Sequence, residues 1–478
     1  MTSIDSRRRR ISEIDEEIAQ LQAERQALVE SLIFPVYTLP VEIIFKIFLH
    51  CLPDDPFAPG EFDPAVVLSH VCRQWRDIVL SLPELWSSWS LAIDGNISCG
   101  ALATGVALWL SRSQSRPLSI RLHHRDGDAQ DGRWWDRVYG FEYAVLPKIL
   151  PHHRRWQNIE INVPLSALWS MANIIPTDGL PYLTHLRLGS VQSDWDEEDE
   201  VNPITLFANA PQLRSLHLML ESQYRLERFG NVQLPYEALT SFTGTSFTPP
   251  ECLAILAKMP YLVDCVFYID SPAENIVALS PTLSHLKSLK LFATKANIRP
   301  VKILDNLTLP ALETLVLGCG EVLAPSYFTS FVLRSKCTIR HFSCHYIRAP
   351  RLVQYLYSMP TLTTLELLDY EQPAAAQFIR DLNRELTTNS PGPPLIPNLQ
   401  SLMIQYQKDN WQGEEFSYNA LLGLLDTMSV RTPLRRVRLW TISPLLPRKP
   451  NEWEVGRLRA LVERGMDIYV GNQERSWI

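Results

Sequence analysis

The sequence lacks the features by which several classes of protein are recognised. It has no apolar run of 18 residues and no apolar stretch near its start, so we expect neither a membrane span nor a secretory signal. Its eight cysteines are scattered without a CxxC pair, which argues against a disulfide framework and a zinc ribbon. It contains no Gly-rich phosphate loop and no GxSxG or HExxH motif. We therefore expect a protein without enzymatic activity, cofactor or metal.

The charge balance gives no excess of basic residues. With 45 basic and 52 acidic side chains the net charge is -7, so we expect no nucleic-acid or membrane partner. The basic run Arg7 to Arg10 could serve as a localisation signal or a nucleic-acid patch, but in an acidic protein a solvated helix entry is favoured. The 478 residues are 46% hydrophobic, enough for more than one domain. We expect an intracellular protein of the cytoplasm, the nucleus or both.

The first segment, residues 1–34, has the pattern of a short coiled coil. Apolar residues recur at alternating steps of three and four, and Arg25 interrupts them at one core position. The seam consists of Ile11, Ile14, Ile18, Leu21, Leu28 and Leu32. Because a lone helix of this length is marginal in water, it either pairs with a second copy or packs back on the chain. The pattern leaves both alternatives open.

Residues 35–90 predict a small all-α module. Pro40 and Glu42 suit a helix start, and the apolar residues that follow recur at helical spacing up to Cys51. Residues 53–64 are rich in proline and predict a loop. A second amphipathic helix is expected from about Ala65 to Leu82, followed by the tetrapeptide PELW.

These residues resemble the F-box. The resemblance rests on LPxE, on II and IF in the first helix, on LS-VCRxWRDI in the second and on the closing PELW. It implies that the module binds the Skp-family adaptor of a cullin-RING ubiquitin ligase. The expected contributors are Leu39, Pro40, Ile43, Ile44, Ile47, Phe48, Val71 and Trp75. The alternative is that several of them only fill the core, since so small a module must supply both core and interface.

From residue 105 to the end the chain repeats the pattern L-x-x-L-x-L. Its anchors lie 23 to 30 residues apart, the range of leucine-rich repeats, at Leu183, Leu213, Leu239, Leu262, Leu286, Leu312, Ile339 and Leu362. Helical segments lie between them, as at 251–259 and 374–387. The whole chain is therefore predicted to be α/β, a coiled-coil helix and an all-α F-box followed by a leucine-rich-repeat-like solenoid with a curved parallel sheet. The arrangement resembles fungal F-box proteins with divergent repeats that lack an asparagine ladder.

The alternation within each strand predicts which side chains point out of the sheet, away from the leucines. The central column should read Arg187, His217, Thr243, Val266, Lys290, Val316, Ser343, Glu366, Met403 and Arg438, with a second column from Gly189 to Trp440. The residues best suited to holding a protein client are Val266, Tyr268, Phe292, Arg436, Arg438 and Trp440. The alternative is that the chain's own tail or insertions cover this surface.

One cluster has a composition suited to metal binding. Cys337, His341, Cys344 and His345 lie within nine residues, but the strand pattern turns the two histidines outward and Cys344 inward. A tetrahedral site is not expected, because its ligands must converge on one point. Two functions remain, a substrate receptor of a Skp-cullin-F-box ubiquitin ligase and a non-degradative interaction scaffold.

Overall fold

The structure is a computed structural model. It describes residues 2–31, 39–53, 63–93, 98–124, 140–163, 165–175, 179–189, 204–219, 232–270, 279–295, 298, 300–318, 325–345, 352–388, 395–407, 417–441, 449–472 and 476–478. The chain divides into two compact units, one of residues 1–89 with 105–118 and the other of residues 90–104 with 119–478.

The first unit is helical. Its helices are α1 (Thr2–Ser31), α2 (Val41–Leu49), α3 (Pro64–Val71) and α4 (Arg73–Leu80), with a 3₁₀ turn at Pro83–Trp86 and the second half of α5 (Cys99–Arg112). The helix predicted near the start is confirmed by α1, although its last seam residue, Leu32, lies outside the described residues, as do residues 54–62 of the predicted loop. The fold class predicted from the sequence is confirmed.

The expectation of one continuous helix from Ala65 to Leu82 is wrong. The chain breaks at Cys72, which is fully extended with φ -158° and ψ 174°, and helix α4 starts anew behind it. The Cys72 sulfur accepts the amide of Trp75 at 3.4 Å and caps the new helix. Asp63 caps α3 in the same way, accepting the amide of Ala65 at 3.0 Å. Apolar spacing alone could not reveal the break, because both halves are amphipathic.

The second unit is a repeat array built on a parallel sheet. The described strands are β1 (Ser88–Ile93), β2 (Leu118–His124), β3 (Trp156–Asn162), β4 (His185–Gly189), β5 (Ser215–Met219), β6 (Ser241–Phe247), β7 (Asp264–Ile269), β8 (Ser288–Ala293), β9 (Thr314–Gly318), β10 (His341–His345), β11 (Thr364–Glu371), β12 (Ser401–Gln407), β13 (Arg436–Thr441) and β14 (Asp467–Asn472). They form one sheet in chain order, and adjacent strands from β3 to β14 pair in parallel. The repeat pattern did not reveal β1 to β3 or β14, which lack its leucine spacing.

Helical segments connect the strands of this unit. They are α6 (Leu146–Ile149) between a π turn at Phe141–Val145 and a 3₁₀ turn at Leu150–Arg155, then α7 (Leu165–Ile174), α8 (Pro249–Leu256), α9 (Pro325–Ser335), α10 (Leu352–Leu356), α11 (Gln372–Thr387), α12 (Tyr418–Arg431) and α13 (Glu452–Glu463), with 3₁₀ turns at Tyr236–Ala238 and Pro300–Asn306. The helices expected at 251–259 and 374–387 are confirmed to within a few residues. A reciprocal capping box between Thr248 and Glu251 starts α8, and Asn451 with Glu454 starts α13.

Backbone carbonyls just before one strand accept amides at the start of the next strand. The carbonyl of Thr184 accepts the amides of Arg214 and Ser215 at 3.0 and 3.1 Å. The carbonyl of Arg340 likewise accepts two consecutive amides, those of Thr363 and Thr364, at 2.8 and 3.0 Å. The main chain itself therefore joins successive repeats at the start of these strands.

Candidate functional site

The first candidate surface lies on the helices of the F-box-like region. Their core is closed, with Ile44, Phe48 and Val79 fully buried. Trp86 lies at its base, where its indole nitrogen donates to the carbonyl of Val79 at 2.8 Å. The guanidinium of Arg112 sits 4.3 Å from the ring centroid of Trp86, a cation–π contact that covers this tryptophan.

The structure separates the eight side chains expected to contact an adaptor. Ile44 and Phe48 are fully buried, so in this structure they belong to the core and not to the surface. Trp75 is half-buried and packs edge-on against Phe48, with 4.8 Å between ring centroids. The other five are exposed, namely Leu39, Pro40, Ile43, Ile47 and Val71.

Three further exposed side chains were missed by sequence reasoning. They are Val41, Val66 and Val67, which are 40 to 48% exposed. On one continuous helix Val67 would share an apolar stripe with Trp75, but the break at Cys72 ends that stripe after Val71. The helices thus present a set of exposed aliphatic side chains above a filled core, which is unusual for a surface without a partner.

The second candidate surface is the outward face of the sheet, the face opposite the buried leucines. The central column is in register as predicted, since Arg187 pairs with His217, and the pairing continues through Val266 and Lys290 to Arg438. Two of its members, Val316 and Ser343, are nevertheless buried, at 7% and 1% exposure. The second column is interrupted between β11 and β12. There a β-bulge lies between Leu367 and Tyr370, and Asp369 adopts a positive φ of 57°. Leu368 is therefore not in register with Gln405, contrary to the expectation.

The six residues expected to hold a client fall into two groups. Val266, Tyr268 and Phe292 lie together on β7 and β8, where the rings of Tyr268 and Phe292 stack at 5.1 Å. Gly318 makes room for this pair, because a Cβ there would lie only 2.4 Å from the Phe292 ring. The other three, Arg436, Arg438 and Trp440, lie on β13. Five strand spacings separate β8 from β13, roughly 24 Å.

The arginines of the second group are held by a carboxylate of the neighbouring strand. Asp467 accepts from Arg438 at 2.6 and 2.8 Å and from Arg436 at 3.3 Å. The bond from Arg438 is the main reason that the pKa of Asp467 lies below its usual value. Asp467 thus places one negative charge beside the two positive charges of Arg436 and Arg438, which reduces the basic character of this group.

Between the two groups lies a polar network that sequence reasoning missed. His341 lies 3.3 Å from Glu366, and His345 lies 3.3 Å from Asp369. The hydrogen bond from His341 holds the pKa of Glu366 below its ordinary value, with burial opposing it. His345 also contacts the Phe292 ring edge-on at 5.5 Å, which joins the network to the aromatic pair. Its only signal in the sequence was the presence of histidines and carboxylates on adjacent strands.

A second network lies at the other end of the outward face. Glu160 is 9% exposed and pairs with Arg121 at 3.0 Å and Arg187 at 3.4 Å. Beside it, His217 bonds to the hydroxyl of Thr245 at 3.1 Å. Burial, with the positive charge of Arg187, lowers the pKa of His217 to about 4, so its imidazole is neutral at physiological pH.

The cysteine–histidine cluster does not converge in the structure. Cys344 is fully buried in the leucine core, whereas His341 and His345 lie on the outward face. Within the described ranges there is no group of three or more histidine, cysteine or acidic side chains arranged to hold a metal. Burial raises the pKa of the Cys252 and Cys265 thiols well above the usual value, which keeps both protonated. In the same ranges, none of the helices has the length and apolar content needed to span a bilayer.

The comparison with protein families decides the nature of the helical module. Residues 36–91 match the F-box-like family. The chain contains an F-box-like domain. Such a domain supports the role of a protein-interaction adaptor.

Comparison with whole proteins adds little to this. No curated protein matches the chain. A Bacteroides fragilis protein of known crystal structure resembles part of it, with 11% identity, 55% of this chain covered and a TM-score of 0.31. The match spans 66% of that protein, just under two thirds. At this TM-score no argument rests on the likeness.

Proposed function

We propose that this chain is the substrate-receptor subunit of a Skp-cullin-F-box ubiquitin ligase. The observation that carries the proposal is the set of exposed aliphatic side chains on α2 and α3 of an F-box-like domain. Ile43 and Ile47 are 41% and 42% exposed one helical turn apart, while the core beneath them is already closed. An apolar surface of this kind is suited to a Skp-family adaptor, and through it to a cullin.

The outward face of the repeat array is the proposed client site. Tyr268 is exposed and stacked on Phe292, and rigid aromatic side chains of this type dominate protein interfaces. The β13 group offers Trp440 and two arginines, but Asp467 already engages both arginines. We therefore place the main client contact at the aromatic pair and a secondary contact at β13.

The adaptor half of the proposal is tested by affinity capture from cells. The double variant Ile43→Asp/Ile47→Asp should lose adaptor and cullin together, because it places two charges within the proposed apolar interface. Val430→Asp is the matched control, since Val430 is also an exposed aliphatic residue on a helix, at 85%. Recovery of the cullin with the double variant would contradict adaptor binding by this surface.

The client half is tested in the same captures by mass spectrometry. Tyr268→Ala/Phe292→Ala should reduce client recovery more than Arg438→Glu/Trp440→Ala, and neither pair should alter adaptor recovery. If the wild-type chain recovers adaptor and clients but never a cullin, the ligase assignment fails and the chain is a non-degradative scaffold. Equal loss of adaptor and client in either variant would indicate misfolding, which thermal unfolding would reveal.

A further inference from the structure

Helix α1 exposes the apolar seam over its described residues. Every described side chain from Ser6 to Gln26 is exposed, and so is Leu28. The seam residues Ile11, Ile14, Ile18, Leu21 and Leu28 are 40 to 59% exposed and follow one heptad stripe. The sequence left open whether this helix pairs with a second copy or packs back on the chain. The exposure of these residues shows that they do not pack back on the chain.

An exposed stripe of this kind requires a partner for stability. An isolated helix gains little from its own hydrogen bonds, and most helical stability in water comes from burying an apolar face. A stripe of five large aliphatic side chains, interrupted only by Arg25, is also far more apolar surface than one helix ordinarily leaves to solvent. The occupant must therefore present a matching heptad stripe.

We propose that α1 pairs with α1 of a second copy of this chain as a parallel, in-register, two-stranded coiled coil. With Ile11 at a core a position, Ile18 is also an a position, and Ile14, Leu21 and Leu28 are d positions. Isoleucine at a with leucine at d, as at Ile18 and Leu21, favours two parallel strands, whereas isoleucine at both positions, as at Ile11 and Ile14, favours higher oligomers. Arg25, at a later a position, further favours a dimer, since a higher oligomer would enclose its charge more completely.

The flanking charges decide the orientation. In the parallel register Arg10, at a g position, faces Asp15 of the second copy, at an e position, and the symmetric pair repeats this attraction. Arg25 also lies beside Glu24 of the second copy. In an antiparallel pair that aligns the same seam, Glu17 would face Glu24 of the second copy in two symmetric like-charge pairs, since both are g positions. Arg10 contacts Glu13 of its own helix at 3.1 Å but is well exposed, so it can reach across.

The orientation is tested with two charge-reversal variants of the full-length chain, Arg10→Glu and Asp15→Arg. Each variant alone replaces two attractive pairs by two repulsive pairs, and sedimentation equilibrium should show a dimer weakened about tenfold. An equimolar mixture should regain wild-type affinity, because both cross pairs become attractive in the heterodimer. Native mass spectrometry with one variant isotopically labelled should show the heterodimer in excess over the statistical half.

Two seam variants complete the test. Leu21→Asp should leave the chain monomeric, and Arg25→Ile should strengthen the dimer, while far-ultraviolet circular dichroism and thermal unfolding check that the rest of the chain is intact. A wild-type chain that stays monomeric at the highest concentration reached overturns the proposal. So does a Leu21→Asp chain that remains dimeric, since another surface would then be responsible. A statistical mixture of the charge variants overturns the parallel register.

Discussion

The helical module and the repeat array use their apolar residues in different ways. In the array the inward positions are buried almost without exception, as Leu289 and Leu291 on β8 are, while Lys290 between them lies on the outward face. In the F-box-like domain, neighbouring apolar residues differ in their exposure to solvent. Ile44 and Phe48 are buried, whereas Ile43 and Ile47 are exposed.

The difference shows how much information each type of periodicity carries. Successive side chains of a strand point to opposite faces of the sheet, so one recognised leucine assigns a face to each remaining side chain of that strand. A helix has an apolar arc wide enough for two tasks, and spacing alone does not separate core from interface. The module is the better place to look for a partner because its apolar residues exceed what its core can hold.

The sharpest test of this comparison is to truncate two neighbouring residues of α2 separately, Phe48 and Ile47. Phe48→Ala should destabilise the domain by about 3–5 kcal/mol, because it removes a fully buried ring from a closed core. Ile47→Ala should cost less than about 0.5 kcal/mol. Hydrogen exchange of residues 63–86 measures both effects. Similar costs for the two variants would mean that Ile47 also belongs to the core.

The corresponding test in the array uses adjacent residues of β8. Leu289→Ala should lower the free energy of unfolding by about 2–5 kcal/mol, because its side chain is fully buried. Lys290→Ala, which truncates an outward side chain, should change it by no more than about 0.5 kcal/mol. Urea denaturation followed by circular dichroism measures the difference. A large effect at Lys290 would show that the outward face is itself packed against other residues.

The smallest effect concerns the start of α3. Asp63→Ala should cost about 1 kcal/mol through loss of the helix cap, whereas Asp63→Asn should keep the cap. Burial raises the pKa of Asp63 to about 6, although hydrogen bonds from backbone amides lower this pKa in part. The native chain therefore holds this proton more tightly than the unfolded chain does.

The pH dependence of this cap follows from that shift. The stabilising contribution of the proton is complete below the ordinary value of 3.8 and is lost as the pH rises through about 6. Asp63→Asn should remove this loss and be at least as stable as the wild-type chain at pH 7. Hydrogen exchange of α3 at pH 5 and pH 7 provides the measurement. The assignment would be contradicted if the stability of the wild-type domain, relative to that of Asp63→Asn, were higher at pH 7 than at pH 5.

Local signals were sufficient for most of the elements but not for their interruptions. Proline spacing and helical periodicity predicted α1 and α2, and the leucine spacing predicted ten strands of the sheet together with the whole central column. The break at Cys72 and the bulge at Asp369 were not predictable, because each depends on a single backbone conformation that the surrounding structure imposes. Strands β1 to β3 and β14 were not predicted because they lack the leucine spacing of the repeat.

The sequence by itself determined the elements, their alternation and the resemblance of residues 39–86 to the F-box, because these depend on spacing along the chain. Only the tertiary structure decided which apolar side chains remain at the surface. It buried Ile44 and Phe48, exposed Ile43 and Ile47, and brought Phe292 against His345 two strands away. The reason is that exposure and contact depend on which elements pack together, and packing joins residues far apart in the chain.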